Sequence, residues 1–162
     1  MGVGLSSELG DESLAERTRV ALSNDIVRLR ADDEAVVEVV LPNQALADYG
    51  MEVSGPALAS CTRLRRLDVS YNAITAAGVK HLVQGLMASP SRLEVLRLSG
   101  NNIGLDGCRA LCDYLMEAVQ SSDAGASQLK ELYLFNCGLT DECALLLANA
   151  LRLNKQLTIL DV

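Results

Sequence analysis

His81 is the only histidine in 162 residues, and so the only side chain whose ordinary pKa suits proton transfer near neutral pH. Acid-base or nucleophilic catalysis needs a base held within hydrogen-bond reach of its target. His81 stands next to Leu82 in a stretch of helical spacing, and a position on the outer surface of that helix is the expectation for it. Cys108 and Cys112 lie one helical turn apart, on the face that carries Leu111 and Leu115. A structural zinc site needs a second pair of ligands, which the sequence does not place near them, so both read as small core residues. Asp32-Asp33-Glu34 offers three carboxylates that a cation accepts in principle, but an acidic run at a helix end reads as a solvated turn. The sequence has no phosphate-binding glycine loop and no dinucleotide fingerprint. No catalytic residue, no metal ligand and no cofactor is expected, and hence no enzyme.

One covalent modification is signalled. Met1-Gly2-Val3-Gly4-Leu5-Ser6 fits the Met-Gly-x-x-x-Ser pattern that marks Gly2 for N-myristoylation. A single myristoyl chain anchors weakly, and Ser7 and Glu8 supply no polybasic helper, so the most that Gly2 implies is a reversible membrane contact.

A net charge of −7 opposes binding to phosphate backbones, which reward clustered Lys and Arg, so nucleic acid is not an expected partner. No apolar run reaches the ~20 residues that span a bilayer, and "MGVGLSSELGDES" lacks the basic and apolar regions of a secretory signal. Five cysteines is an odd number, and there is no N-x-[ST] sequon. Reduced thiols and a cytoplasmic, or else nuclear, location follow as expectations. Aromatic residues make up 3% of the chain, with one Phe and no Trp, so aliphatic side chains must fill the core.

Those aliphatic residues are periodic. Leu64, Leu67, Val69, Asn72 and Ile74 recur at the same offsets as Leu93, Leu96, Leu98, Asn101 and Ile103, and again as Leu129, Leu132, Leu134, Cys137 and Leu139. Val36, Val39, Leu41, Gln44 and Leu46 form a weaker copy upstream, and Leu157, Leu160 and Val162 begin another. Unit starts fall 28, 29, 36 and 28 residues apart. Six, ten and fourteen residues after the Asn position stand Gly78, Leu82 and Leu86, then Gly107, Leu111 and Leu115, then Cys143, Leu147 and Leu151. The first unit gives Gly50, Ser54 and Leu58. Apolar residues four apart share a helical face, so each unit predicts a short strand followed by an amphipathic helix.

On these residues the chain resembles the leucine-rich-repeat proteins, and its period with Leu-x-x-Leu-x-Leu-x-x-Asn/Cys is similar to the ribonuclease-inhibitor-like subfamily. The resemblance spans Val36 to Val162, with departures at Gln44, Ser54 and Cys143. It implies an α/β leucine-rich-repeat solenoid, a right-handed βα superhelix with a curved parallel sheet on the concave face and helices on the convex face. It also implies a binding module, within a family that includes activators of small GTPases and actin-associated proteins.

Elementary packing leads to the same curvature. Parallel strands sit ~4.8 Å apart and packed helices ~8–10 Å apart, so the helical side splays outward. Asn72 and Asn101 fall at the bend after each strand, where an amide side chain satisfies backbone groups outside the ladder. Cys137, a weak hydrogen-bonder, is a tolerated replacement there. Ser13 with Glu16 forms a capping box, and Leu14, Thr18, Leu22, Ile26 and Leu29 form a helical stripe, which together predict a cap helix over residues 13–30. The expected organisation is a flexible 1–12, a cap and link over 13–35, and repeats over 36–162, with units starting near 36, 64, 93, 129 and 157. "LTILDV" finishes within a strand, whose edge implies either a longer repeat protein or pairing in an oligomer. The wider spacing before Leu129 holds seven or eight extra residues, expected as a convex-edge loop near "VQSSDAGASQ".

Strand residues alternate between core and concave face. The outward slots are Glu38, Val40 and Pro42; Arg66, Asp68 and Ser70; Val95, Arg97 and Ser99; Glu131, Tyr133 and Phe135; Ile159 and Asp161. Glu38 is expected to face Arg66, and Asp68 to face Arg97. Phe135, the only Phe, falls where the register predicts exposure, open to a partner or to cover by a neighbouring coil. Arg66, Asp68, Arg97, Glu131, Tyr133 and Phe135 are the candidate partner-binding residues. The expected function is a non-catalytic interaction module or scaffold for a protein partner, with regulation of a small GTPase or a cytoskeletal role as alternatives.

Overall fold

The computed structural model describes residues 24–120 and 128–162. In it, three-residue strands alternate with helices from β1 (Glu38–Val40) through α2 (Ala47–Leu58), β2 (Arg66–Asp68), α3 (Ala76–Ala88), β3 (Val95–Arg97), α4 (Gly104–Gln120), β4 (Glu131–Tyr133) and α5 (Asp141–Leu153) to β5 (Ile159–Asp161). A further helix, α1, is described over residues 24–30. All five strands run parallel and lie in sequence order in one sheet. The chain is therefore an α/β leucine-rich-repeat solenoid: each parallel step needs a crossover, and the repeat's helix provides it.

The strands are short because each contributes one inward side chain before the chain bends. Val39, Leu67, Leu96, Leu132 and Leu160 stand in consecutive register across the sheet. Leu96 and Leu132 are fully buried, as are Leu64, Leu93 and Leu129 before the strands and Leu98 and Leu134 after them. From the helices, Leu82, Leu86, Leu111 and Leu115 join the same cluster. Each such leucine contributes about 1.5–3 kcal/mol on burial, and no coil can achieve that burial alone.

The bend asparagines do more than close their own turn. Asn72 Oδ1 accepts the backbone N–H of Gln44 (2.7 Å) and Leu46 (3.3 Å) in the preceding coil, while its Nδ2 donates to the carbonyls of Leu41 and Ser70. Asn101 repeats this one step on, accepting from Asn72 N–H (2.9 Å) and Ile74 N–H (3.0 Å) and donating to Val69 and Leu98. Acidic residues add a second tie between coils: Asp48 accepts from the N–H and hydroxyl of Thr75 and from Gly78 N–H. Asp32 does the same for the N–H and hydroxyl of Thr62.

Several expectations are adjusted. Of the cap helix expected over 13–30, only α1 is described; there Ile26 and Leu29 are buried, while Leu14, Thr18 and Leu22 lie outside the described residues. The extra residues before Leu129 do not all form a loop. α4 has 17 residues against 13 in α3 and α5, so Val119 and Gln120 are helical, and residues 121–127 lie outside the described residues. Gly2 lies outside them as well. Val95 was expected to point into open concave space but is only 6% exposed, because the longer Arg66 and Glu131 flank it in register. Ser70, another outward slot, is also buried.

Candidate functional site

The concave sheet collects most of the candidate residues into one connected line. Its foundation is register: Asp68 aligns with Arg97, and Arg97 aligns with Tyr133. Arg97 Nη1 stands 3.9 Å from Asp68 Oδ2, and its guanidinium lies 5.0 Å from the centre of the Tyr133 ring. The Tyr133 hydroxyl in turn donates to Glu131 Oε2 at 3.0 Å. An exposed ion pair of this kind contributes at most about 1 kcal/mol, as does the cation–π contact. Their larger effect is to hold four long side chains in fixed places.

Phe135 stands two residues beyond Tyr133, with its backbone carbonyl accepting from Gly100 N–H at 2.8 Å. Its side chain remains 55% exposed, in a chain that has no other Phe. Arg66 is exposed and in register with Glu38, yet no ion pair joins these two among the described residues. The expected Asp68–Arg97 pairing thus forms, whereas Glu38 and Arg66 face each other without closing.

Two features escaped the slot pattern. One residue before the strands, Glu94 bridges Lys130 (2.9 Å) and Arg65 (3.9 Å) across three coils. The hydrogen bond from Lys130 holds the Glu94 carboxyl below its ordinary range, with the nearby Arg65 and Arg66 charges helping. Residues 65, 94 and 130 share one repeat offset, so applying the register one place earlier finds the bridge. The other is Tyr71, which adopts φ +57 and is 54% exposed, its ring lying against Gly100. A side chain at Gly100 would collide with that ring, and Gly100 itself has φ +73, so glycine is doubly required there.

The residues considered for chemistry have structural surroundings. His81, half-buried on α3, borders a cleft of about 230 Å³ with Glu52, Pro56 and Gln84 on the convex side. Cys108 and Cys112 pack with Cys143, Leu147 and Ala150 between α4 and α5. The hydrogen bond with Cys112, together with burial, pushes the Cys108 thiol up, away from the reactive thiolate. Cys137 is buried, its Sγ donating to Leu98 O at 3.3 Å, and burial raises its pKa against the pull of the Asn101 and Gly100 N–H groups. In the acidic run, Asp32 serves Thr62, Asp33 pairs with Arg28, and Glu34 pairs with Arg63. Among the described residues no three His, Cys, Asp or Glu side chains are grouped to hold a metal ion. Nor is any described helix long and apolar enough to cross a membrane.

A family model described as Leucine Rich repeat matches residues 60–83 and 91–112. Ribonuclease inhibitor of Sus scrofa is 31% identical over 134 residues, 82% of this chain and 28% of that protein. That of Mus musculus is 32% identical over 133 residues, again 82% of this chain and 27% of that protein. FERM domain-containing protein C of Dictyostelium discoideum is 35% identical over 95 residues, 59% of this chain and 6% of that protein. The chain thus spans less than a third of the length of any of these relatives. Among solved structures, the tropomodulin C-terminal domain of Caenorhabditis elegans superposes with a TM-score of 0.71 at 20% identity, covering 87% of this chain and 81% of that one. Leiomodin-1 Actin-Binding Site 2 gives 0.72 at 18% identity, covering 84% and 75%. At these identities the two structures establish the shared fold alone.

Proposed function

Since the chain is a leucine-rich-repeat protein of ribonuclease-inhibitor-like type, we propose that it is a non-catalytic interaction module that holds a protein partner on its concave sheet. The observation that carries this reading is the line Asp68–Arg97–Tyr133–Glu131 with the exposed Phe135 ring beside it. Interfaces concentrate their affinity in a few aromatic and Arg residues surrounded by polar groups, and this patch has that composition. Arg97 is held by an acid on one side and a ring on the other, so less conformational freedom is lost when a partner engages it. Arg66, which has no such restraint, belongs to the rim of the surface. The cytoplasm is the compartment in which the module works.

A titration of an isolated partner against three forms of the chain tests this. Phe135→Ala is expected to weaken binding at least tenfold, while Lys80→Ala on α3 of the convex side leaves it unchanged. Equal affinities for wild type and Phe135→Ala would remove the concave face from consideration.

A cytoskeletal role is the second reading, favoured by the likeness to a structure described as an actin-binding site of leiomodin. Cosedimentation with actin filaments separates the two. Retention in the pellet that Tyr133→Ala abolishes makes actin the concave-face partner, and retention that both Tyr133→Ala and Phe135→Ala leave intact assigns actin to another surface.

A further inference from the structure

We propose that the edge where the second and third coils enter the sheet is an anion-seeking surface, across which the partner lays an extended segment rich in Asp and Glu. The inference rests on the concave-face reading above and adds the chemistry of the partner segment.

The observation is a surplus of guanidinium groups. Within two residues of Leu64 and Leu93 stand Arg63, Arg65, Arg66 and Arg92 against one acid, Glu94, in a chain whose net charge is −7. Glu94 is already engaged, 2.9 Å from Lys130 and 3.9 Å from Arg65. Arg63 reaches Glu34 at 3.2 Å. One coil on, Arg92 holds the repeat position of Arg63, but the counterpart of Glu34 is Thr62, whose hydroxyl donates to Asp32. Arg92 is exposed and its side chain has no ion pair or hydrogen bond among the described residues, and the same is true of Arg66. Two further acids flank the patch without neutralising it. Glu131 accepts the Tyr133 hydroxyl, and Glu38, in register with Arg66, does not close on it.

The donors and the width of the patch define its occupant. Arg66 and Arg92 each present a planar fork that grips one carboxylate through two parallel N–H bonds. Neither has an ion pair to give up, so an arriving carboxylate competes with water alone. Neighbouring strands are ~4.8 Å apart, which puts the two-coil step from Arg65 to Lys130 at about 10 Å, wider than one carboxylate covers. Side chains on one side of an extended chain repeat every ~7 Å, so acids at alternate positions meet successive cations. The patch is also continuous with the concave line: Arg66 lies two residues before Asp68 on β2 and faces the same way.

A capped hexaglutamate peptide, titrated into the isotope-labelled full chain at low salt, serves as the probe. It is expected to give saturable NMR shifts at Arg66 and Arg92, and to bind more weakly as salt is added. The double variant Arg66→Gln, Arg92→Gln should weaken binding about fivefold. Lys80→Gln with Arg109→Gln, the same change of charge on the convex helices, should leave it unchanged. Glu94→Gln frees Lys130 and Arg65 and should tighten binding about twofold, while Glu52→Gln on α2 should not. Equal affinity in the Arg66→Gln, Arg92→Gln variant, or equal shifts with capped hexaglutamine, overturns the proposal. So does binding to phosphatidylserine vesicles without binding to hexaglutamate, which makes the edge a lipid contact. Self-association that the same two substitutions abolish overturns it as well, because a second copy is then the occupant. None of these results alters the Phe135→Ala titration with an isolated partner, so the acidic segment and the concave-face reading fail separately.

Discussion

Asn101 makes four side-chain hydrogen bonds, two accepted and two donated, at 0% exposure. Removing the side chain leaves buried backbone groups unpaired, at about 1–3 kcal/mol for each group that water cannot reach. Urea unfolding of Asn101→Ala is therefore expected to show a loss of about 2–4 kcal/mol, and Cys137→Ala a smaller one because its Sγ is a weak donor. The spacing in the sequence identified these bend residues, but not that each serves the coil before it, since an offset along the chain does not say what lies across the stack. The acids behave in the same way. Burial pushes Asp48 up, yet the N–H and hydroxyl of Thr75 and the N–H of Gly78 outweigh it and leave its pKa lowered; Glu94 is lowered chiefly by Lys130. A carboxyl with a folded pKa below its unfolded value stabilises fully above the unfolded value and loses that contribution as pH falls through the folded one. Stability should decline below the ordinary values of 4.5 for Glu94 and 3.8 for Asp48. The drop in urea midpoint from pH 7 to pH 3 should be smaller in the double variant Asp48→Asn, Glu94→Gln than in the unsubstituted chain. The remainder comes in part from Asp32 and Asp33, whose carboxyls are also held low, by hydrogen bonds from Thr62 and from Ala35 and Arg28. The Glu94 part is the more sensitive to salt.

At the scale of elements, strand and helix alternation was legible because period-2 and period-3.6 patterns change over within each unit. Lengths were less legible. The residues before Leu129 look like a polar loop, yet α4 runs on to Gln120, because Ala, Val and Gln prolong a helix already nucleated by its buried face. Val95 shows a second limit: strand alternation gives direction, not exposure, and flanking long side chains cover a small one. The seam between α2 and α3 rests on glycines that the pattern did not single out. A Cβ at Gly85 would lie 2.5 Å from the Gly55 carbonyl oxygen. Gly85→Ala is expected to cost about 1–3 kcal/mol through displacement of the helices, despite alanine's better helix propensity. Gly104→Ala meets no atom within 4 Å, but its φ of +56 puts a penalty of about 1 kcal/mol on any L side chain. Thermal unfolding of the two variants, with helix–helix contacts followed by NMR, separates displacement in the first from local strain in the second.

For the whole molecule, one leucine interior continues from coil to coil, so stability sums over neighbouring interfaces. Amide exchange should be slowest in β2, β3 and α3, which have a coil on each side, and fastest in β5, whose Leu157 and Leu160 are only partly buried. The concave surface was legible because register follows from the repeat: Asp68 beside Arg97 beside Tyr133 could be aligned from offsets alone. The Tyr133–Glu131 hydrogen bond and the ring contact of Tyr71 with Gly100 were not, because they depend on rotamers and on left-handed turn residues. Whether the sheet or the helices meet the partner is decided most directly by a hydrogen-exchange footprint of the bound complex across both faces. Protection should fall on the segments carrying Asp68, Arg97, Glu131 and Phe135, with the outer surfaces of α2 to α4 unchanged. Protection confined to those helices, with the sheet exchanging as in the free chain, would contradict a concave-face module.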